Sequence, residues 1–247
     1  MSSSLFNTLN LSSQDMVNRI LDLNTTSDNI ANMNTPGFKA NRTDFQELLN
    51  NKNKEGVSIS ATQTLPFQGS TRTTDSPLDW AIQGDGYFAV KLPNGTTGYT
   101  RDGQFQVDSS GQLVSASGYK LVWNGTIPQN MTDISVASDG TINATLSTGV
   151  QVAAGKVQLA KFTNPTGLLN NGNNVYLESV ASGKVQMAAP GASNLGLIQS
   201  HAVEQSNVDI SREMTHMMVL ERNFQMSSQA FQQTETMISE AISMHKD

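Results

Sequence analysis

The chain has 247 residues, 37% hydrophobic and 15% charged, with 15 basic and 21 acidic side chains and a net charge of −6. That length supports one large domain or two small ones with a genuine core. No Lys/Arg cluster stands out that would neutralise a run of phosphates, so nucleic acid is not an expected partner. The absence of cysteine removes disulfides, thiolate nucleophiles and cysteine-ligated metal sites together, and hydrophilicity comes largely from 91 Ser, Thr, Asn and Gln residues.

The opening MSSSLFNTLNLSSQ has neither the basic leader nor the apolar run of a secretory signal. Nothing approaches the roughly twenty apolar residues of a membrane span, so no membrane insertion is expected. The chain reads as cytosolic unless it is exported by a signal that is not cleaved. Residues 3–34 contain no Gly or Pro, and Leu9, Met16, Leu23 and Ile30 recur every seven residues, with Leu5 and Ile20 on the same side of a helix. A helix over 1–36 is predicted, ended by Thr35-Pro36-Gly37, where Pro36 lacks a donor and restricts the residue before it. Residues 37–76, rich in Thr, Ser, Gln and Asn after residue 50, read as an extended connector with one edge strand.

From 77 to 200 the pattern is strand and turn. Asn94-Gly95, Asp102-Gly103, Ser110-Gly111, Asn124-Gly125, Asp139-Gly140 and Asn171-Gly172 read as turn dipeptides. They bracket β-branched and aromatic runs at 87–92, 104–107, 119–123, 134–136, 150–162 and 175–180, which predicts an antiparallel β domain. Residues 201–247 form the C-terminal segment, where Ile210, Met217, Phe224, Phe231 and Ile238 repeat at seven-residue intervals and Met214, Leu220, Ala241 and Ile242 widen the row. Ser206, Asn207 or Asp209 is placed to cap this helix, with Glu213 favoured near its N-terminus. About 35 residues of helix span roughly 50 Å.

The fold class is therefore mixed α and β: long N- and C-terminal helices forming a coiled-coil-like inner domain, with an all-β antiparallel outer domain between them. Two paired helices still leave Phe6, Leu11, Val17 and Leu21 at one end and Met218, Met226, Met237 and Met244 at the other without cover, which calls for further copies of the chain. Six of the 11 methionines follow residue 213, and Met adapts to surfaces that pack in several settings. Isolated helices are marginal in water, so the ends are expected to order fully on meeting a filament. The candidate assembly interface is Leu9, Met16, Ile20, Leu23, Ile30, Ile210, Met214, Met217, Phe224, Phe231, Ile238 and Ile242. The same periodicity also suits an intramolecular core.

No catalytic constellation emerges. His201, His216 and His245 are the only histidines and lack zinc-site spacing. Asp75 and Asp79 flank Pro77 in a loop, and Gly84-Asp85-Gly86 lacks the spacing and the following helix of a dinucleotide fingerprint. No cofactor or metal is expected, and an enzyme is the weakest reading.

Residues 28–39, DNIANMNTPGFK, closely resemble the signature that follows the first helix of flagellar axial proteins, approximately N-N-(I/L)-A-N-x-N-T-x-G-(F/Y)-K. LDWAIQGDGYF at 78–88 and YTRDGQFQVDSSGQL at 99–113 resemble the core of the rod and hook branch, and EQSNVD at 204–209 resembles the entrance to its C-terminal helix. These blocks touch both ends and the middle. The resemblance implies a flagellar basal-body rod protein, proximal or distal. It would leave the cell through the flagellar type III export apparatus and polymerise by its terminal helices into the inner tube of the rod. Its partners would be copies of itself, other rod and hook axial proteins and bushing-ring proteins. The family motif falls here on Asn29, Asn32, Asn34, Thr35, Gly37, Phe38, Ser206 and Asn207. The three asparagines suit helix-end groups that satisfy loose backbone, and in the family reading they also fix the chain's exit angle. A hook-type axial protein and a secreted β-domain binding module or adhesin are the alternatives.

Overall fold

The computed structural model describes residues 2–47, 57–128 and 131–244. The chain divides into two units, one made of 1–32, 40–65 and 208–247 and the other of 33–39 and 66–207.

Unit 1 contains α1 (Ser2–Ala31), the antiparallel hairpin of β1 (Asn41–Glu47) and β2 (Val57–Thr64), and α2 (Ile210–Met244). The Gly/Pro-free stretch is helical as its composition dictates, but α1 ends at Ala31, before the Thr35-Pro36-Gly37 turn. Asn32 closes it: its backbone N–H reaches Asp28 O at 3.1 Å, and its side-chain amide donates to the same carbonyl at 2.9 Å. The hairpin corrects the expectation of a connector with one edge strand over 37–76. Asn41 pairs with Thr64 at its open end, and a bulge lies between Asp44 and Phe45. The few large apolar residues that made β2 look like connector are compensated by ladder hydrogen bonds to β1. Asp209 is the N-cap of α2, accepting from the backbone N–H groups of Ser211 at 3.0 Å and Arg212 at 3.2 Å.

In unit 2 every strand pairing is antiparallel. Among the described residues the largest sheet has nine strands, centred on Tyr87–Lys91, and a four-stranded sheet is built around Thr141–Leu146 and Gln151–Val157. Strand alternation explains the core. Phe88 and Val90 join Trp80, Ile82, Leu113, Ile142 and Leu159 in one buried cluster, while Tyr87 and Ala89 face a second with Tyr99, Phe162 and Tyr176. Trp80 stacks obliquely on Phe105 at 5.1 Å, and Phe88 meets Phe105 edge-on at 5.2 Å.

Two of the expected turn dipeptides are not turns. Gly95, Gly111, Gly140 and Gly172 do take positive φ. Asn124 and Gly125 instead lie within a strand paired to Lys156 and Gly155. Gly103 lies where its backbone carbonyl accepts from Trp80 N–H at 2.9 Å. A Cβ there would sit 1.7 Å from the Trp80 carbonyl oxygen, so that glycine is required by proximity rather than by dihedral freedom.

Unit 2 also holds a buried charge cluster. Glu204, on the strand Ala202–Glu204 that pairs with Thr71–Thr73, is 1% exposed. Its Oε1 accepts from Lys39 Nζ and from Gly69 N–H at 3.0 Å, and its Oε2 lies 3.2 Å from Arg101 Nη1. Lys39 also donates to Phe67 O at 2.7 Å and Arg101 to Gly84 O at 2.9 Å, with the guanidinium 5.0 Å from the Tyr87 ring centre. Burial pushes the Lys39 ammonium pKa down, and the Glu204 carboxylate beside it opposes that shift. The chain crosses between the units after residues 32, 39, 65 and 207, and the unit 2 segments at three of these points are tied to the cluster. Gly37 N–H donates to Glu204 O at 2.7 Å, Lys39 itself precedes a crossing, and Asn207 donates from Nδ2 to Phe67 O at 2.9 Å.

Three predictions arise. Glu204→Gln leaves two buried cations without their anion, and should lower the stability of unit 2 by about 3–5 kcal/mol in denaturant melts followed by tryptophan fluorescence. Gly103→Ala forces a clash with rigid backbone and should cost about 3 kcal/mol in the same melts. The Asp102 carboxyl is raised to about 6 by burial, with the Asp79 charge adding to the shift and the Gln104 N–H opposing it. Between about 4 and 6 the folded chain therefore holds a proton that the unfolded chain has released, so this group's contribution to stability falls as pH rises through that window. Asp102→Asn keeps an acceptor for Gln104 N–H and should raise the melting temperature at pH 7.5, with the gain vanishing near pH 4.

Candidate assembly surface

The two helices of unit 1 run antiparallel. Ser227 Oγ donates to Asp15 Oδ2 at 2.5 Å, Thr26 Oγ1 lies 3.3 Å from His216 Nδ1, and Asn29 Nδ2 donates to Glu213 Oε2 at 3.4 Å. Residue numbers on α2 thus fall as those on α1 rise. Such a pair would ordinarily turn apolar residues inward and polar ones to water.

Here the pattern is reversed. Among the described residues, the deeply buried side chains of α1 are Asn18, Asp22, Thr26 and Asn29, and those of α2 are Leu220 and Thr234. Asp22 Oδ1 accepts from Thr43 Oγ1 at 2.5 Å, and its Oδ2 lies 3.6 Å from His216 Nε2. Asn29 closes a reciprocal pair with β1, donating from Nδ2 to Asn41 O at 2.8 Å while Asn41 N–H donates to its Oδ1 at 2.9 Å. The apolar residues look outward: Leu11, Val17, Ile20 and Leu21 on α1, and Ile210, Met214, Met218, Val219, Met226 and Met237 on α2, each 41–60% exposed.

The residues predicted as the assembly interface fall at the margin of the helix contact. Leu9, Met16, Leu23, Ile30, Met217, Phe224, Phe231 and Ile238 are half-buried, and Ile20, Ile210 and Met214 are exposed. The side chains of Leu5, Phe6, Ala241, Ile242 and Met244 lie outside the described residues, as does His245. On α1 the row Leu9, Met16, Leu23, Ile30 sits about 100° around the helix from the buried line through Asp22. A groove between the helices is lined by Leu11, Ser12, Asp15, Met226, Ser227 and Ala230.

The motif residues divide between the two units. Asn29 is buried in unit 1, Asn32 ends α1, and Asn34 is exposed. In unit 2, Thr35 O accepts from Phe38 N–H at 3.3 Å, and Phe38 is buried with its carbonyl 3.4 Å from Asn207 N. Ser206 is half-buried. Gly37, at φ +68°, has no room for a Cβ, which would stand 2.5 Å from both Arg101 C and Asp102 N. Sequence reasoning missed Lys39, Arg101 and Glu204 although each lies in a quoted motif block. Charged residues within apolar-flanked motifs were the available signal. It also missed Asp15, Asn18, Asp22 and Thr26, whose spacing marks one helix face as clearly as the apolar row does.

Among the described residues no helix is long and apolar enough to cross a membrane. Residues 21–39 match the family described as flagella basal body rod protein, residues 81–144 the flagellar hook protein FlgE/F/G D1 domain, and residues 199–244 the flagellar basal body rod FlgEFG protein C-terminal. The chain is 37% identical to the flagellar basal-body rod protein FlgG of Caulobacter vibrioides, over 93% of this chain and 96% of that one. It is 32% identical to FlgG of Borreliella burgdorferi, over 91% and 93%, and 30% identical to the flagellar basal-body rod protein FlgF of Mesorhizobium japonicum, over 94% of each. With the matches spanning both helices and the β unit, the chain belongs to the flagellar basal-body rod protein family and is a structural subunit of the basal body.

Proposed function

We propose that this rod subunit polymerises through the outward apolar faces of α1 and α2, whose neighbours in the rod are copies of the same chain and other rod and hook axial proteins. One observation carries the reading: polar groups bridge α1 and α2, while Leu11, Val17, Ile20 and Leu21 on α1 and Ile210, Met214, Met218, Val219, Met226 and Met237 on α2 stay exposed. A monomer gains nothing from exposing about ten large apolar side chains on two helices, since such patches mark interaction surfaces. Ile20, Ile210 and Met214 lie on this surface and the half-buried Leu9, Met16, Leu23, Ile30, Met217, Phe224, Phe231 and Ile238 border it, with Ile242 assigned to it by its place in the sequence. Assembled around an axis, the helices form a coiled-coil-like inner tube that transmits torque and lines part of the export channel. Passage through the type III apparatus precedes assembly, and bushing-ring proteins meet the finished shaft. Higher identity to two FlgG proteins than to the FlgF relative supports a FlgG-type place in the rod.

Met218→Glu and Met226→Glu test this surface. Both side chains are more than half exposed, so unfolding free energy should change by less than about 0.5 kcal/mol and far-UV helicity should be retained. Incorporation into isolated basal bodies and swimming in soft agar should be lost, because each new carboxylate would be buried against apolar neighbours. Normal swimming by the double variant contradicts the reading.

A further inference from the structure

The apolar rows of unit 1 share one weakness as a means of alignment. Leu9, Met16, Leu23 and Ile30 repeat every seven residues, and so do Met217, Phe224, Phe231 and Ile238. Sliding α2 along α1 by seven residues would carry each half-buried apolar residue of one row to the place of the next. Dispersion and burial are non-directional, so these rows define an axis without choosing a register.

The polar line makes that choice. Asp15, Asp22 and Asn29 are themselves seven residues apart on α1, and Glu213, Leu220, Ser227 and Thr234 are seven apart on α2, but each position asks for a different partner. In the observed register Asp15 meets Ser227, Asn29 meets Glu213, and Asp22 lies within reach of His216 and Thr43. A slide of seven in one direction brings Asp22 opposite Glu213, two carboxylates in a buried setting. A slide in the other direction leaves Asn29 its two bonds to Asn41 but replaces its contact with Glu213 by the apolar Leu220. Buried polar groups without partners are costly, and a single buried polar side chain can fix helix register.

We infer that Asp22 and Asn29 are the register key of the helix pair. They favour the observed slide of α2 on α1 over slides that the apolar rows do not distinguish, and so present the outward rows of every copy at the same height. The inference deepens the assembly reading, but it is tested on the unassembled subunit, so either can fail without the other.

The test uses the absence of native cysteine. In the full chain, Ser12→Cys with Ala230→Cys reports the observed register, since both positions line the same groove. Ser12→Cys with Asn223→Cys, or with Met237→Cys, reports a slide of seven in either direction. With the key intact, mild oxidation should link 12 to 230 and leave the other pairs nearly unlinked. In an Asp22→Leu, Asn29→Leu background, linkage in at least one slipped pair should rise about tenfold or more, the factor set by losing one or two buried hydrogen bonds. Unchanged slipped yields with helicity retained overturn the inference. Should that background lose its helicity, Asp22→Asn with Asn29→Leu decides: the amide introduced at position 22 still offers Thr43 an acceptor but carries no charge, and slipped linkage at the native level there also overturns the inference.

Discussion

A carboxylate shut away from water must be neutralised where it stands, and much of unit 2 is arranged around that requirement at Glu204. Desolvating one anion and two cations is expensive, and an apolar replacement of similar volume is often as stable. What the ions provide is directionality. Glu204 fixes Lys39 and the Gly69 amide at one oxygen and Arg101 at the other, while its own backbone carbonyl holds the Gly37 amide. Three distant stretches of chain meet at one residue, and the glycines at 37 and 69 are small because the backbone there passes too close to Arg101 and Gln205 for any side chain.

The helix pair of unit 1 uses polarity differently. Its hydrogen bonds contribute about 0.5–3 kcal/mol each in net stability, most where the acceptor is a carboxylate. Their position inside the pair goes with exposed apolar side chains on both helices. A soluble two-helix protein optimises its own core first; this one leaves ten large apolar side chains of its helices exposed.

Much of the fold was legible in the sequence because local composition dominates it. The Gly/Pro-free ends are helices, Asp209 caps α2, and the β-branched runs are strands. The β1/β2 hairpin was not legible, since β2 has few large apolar residues and gains its place from pairing with β1. Asn124-Gly125 and Asp102-Gly103 look like turns on paper and are not, because what demands glycine there is a neighbouring carbonyl that only the folded chain supplies. On the helices the seven-residue spacing is legible in the sequence, but hydrophobicity alone does not say which row turns inward. On α2 the line Glu213, Leu220, Ser227, Thr234, which carries the two buried residues Leu220 and Thr234, is displaced by three residues from Ile210, Met217, Phe224, Phe231. Periodicity gives the number of faces, and only contacts reveal which one is turned inward. The charge cluster was hidden for a related reason: its members are far apart in sequence, and each alone resembles a surface residue.

That separation governs the order of events as the chain is made. Lys39 and Glu204 are 165 residues apart, and a contact of such long range forms late because the intervening loop must close first. A nascent polypeptide that has emerged only as far as the nine-stranded sheet holds an ammonium and a guanidinium with nothing to answer them. Closure waits for the last fifth of the chain, so vectorial synthesis or vectorial threading passes through a stage in which the β unit is open at its most charged point. The feature that locks the finished subunit is the same one that delays locking until both termini have arrived.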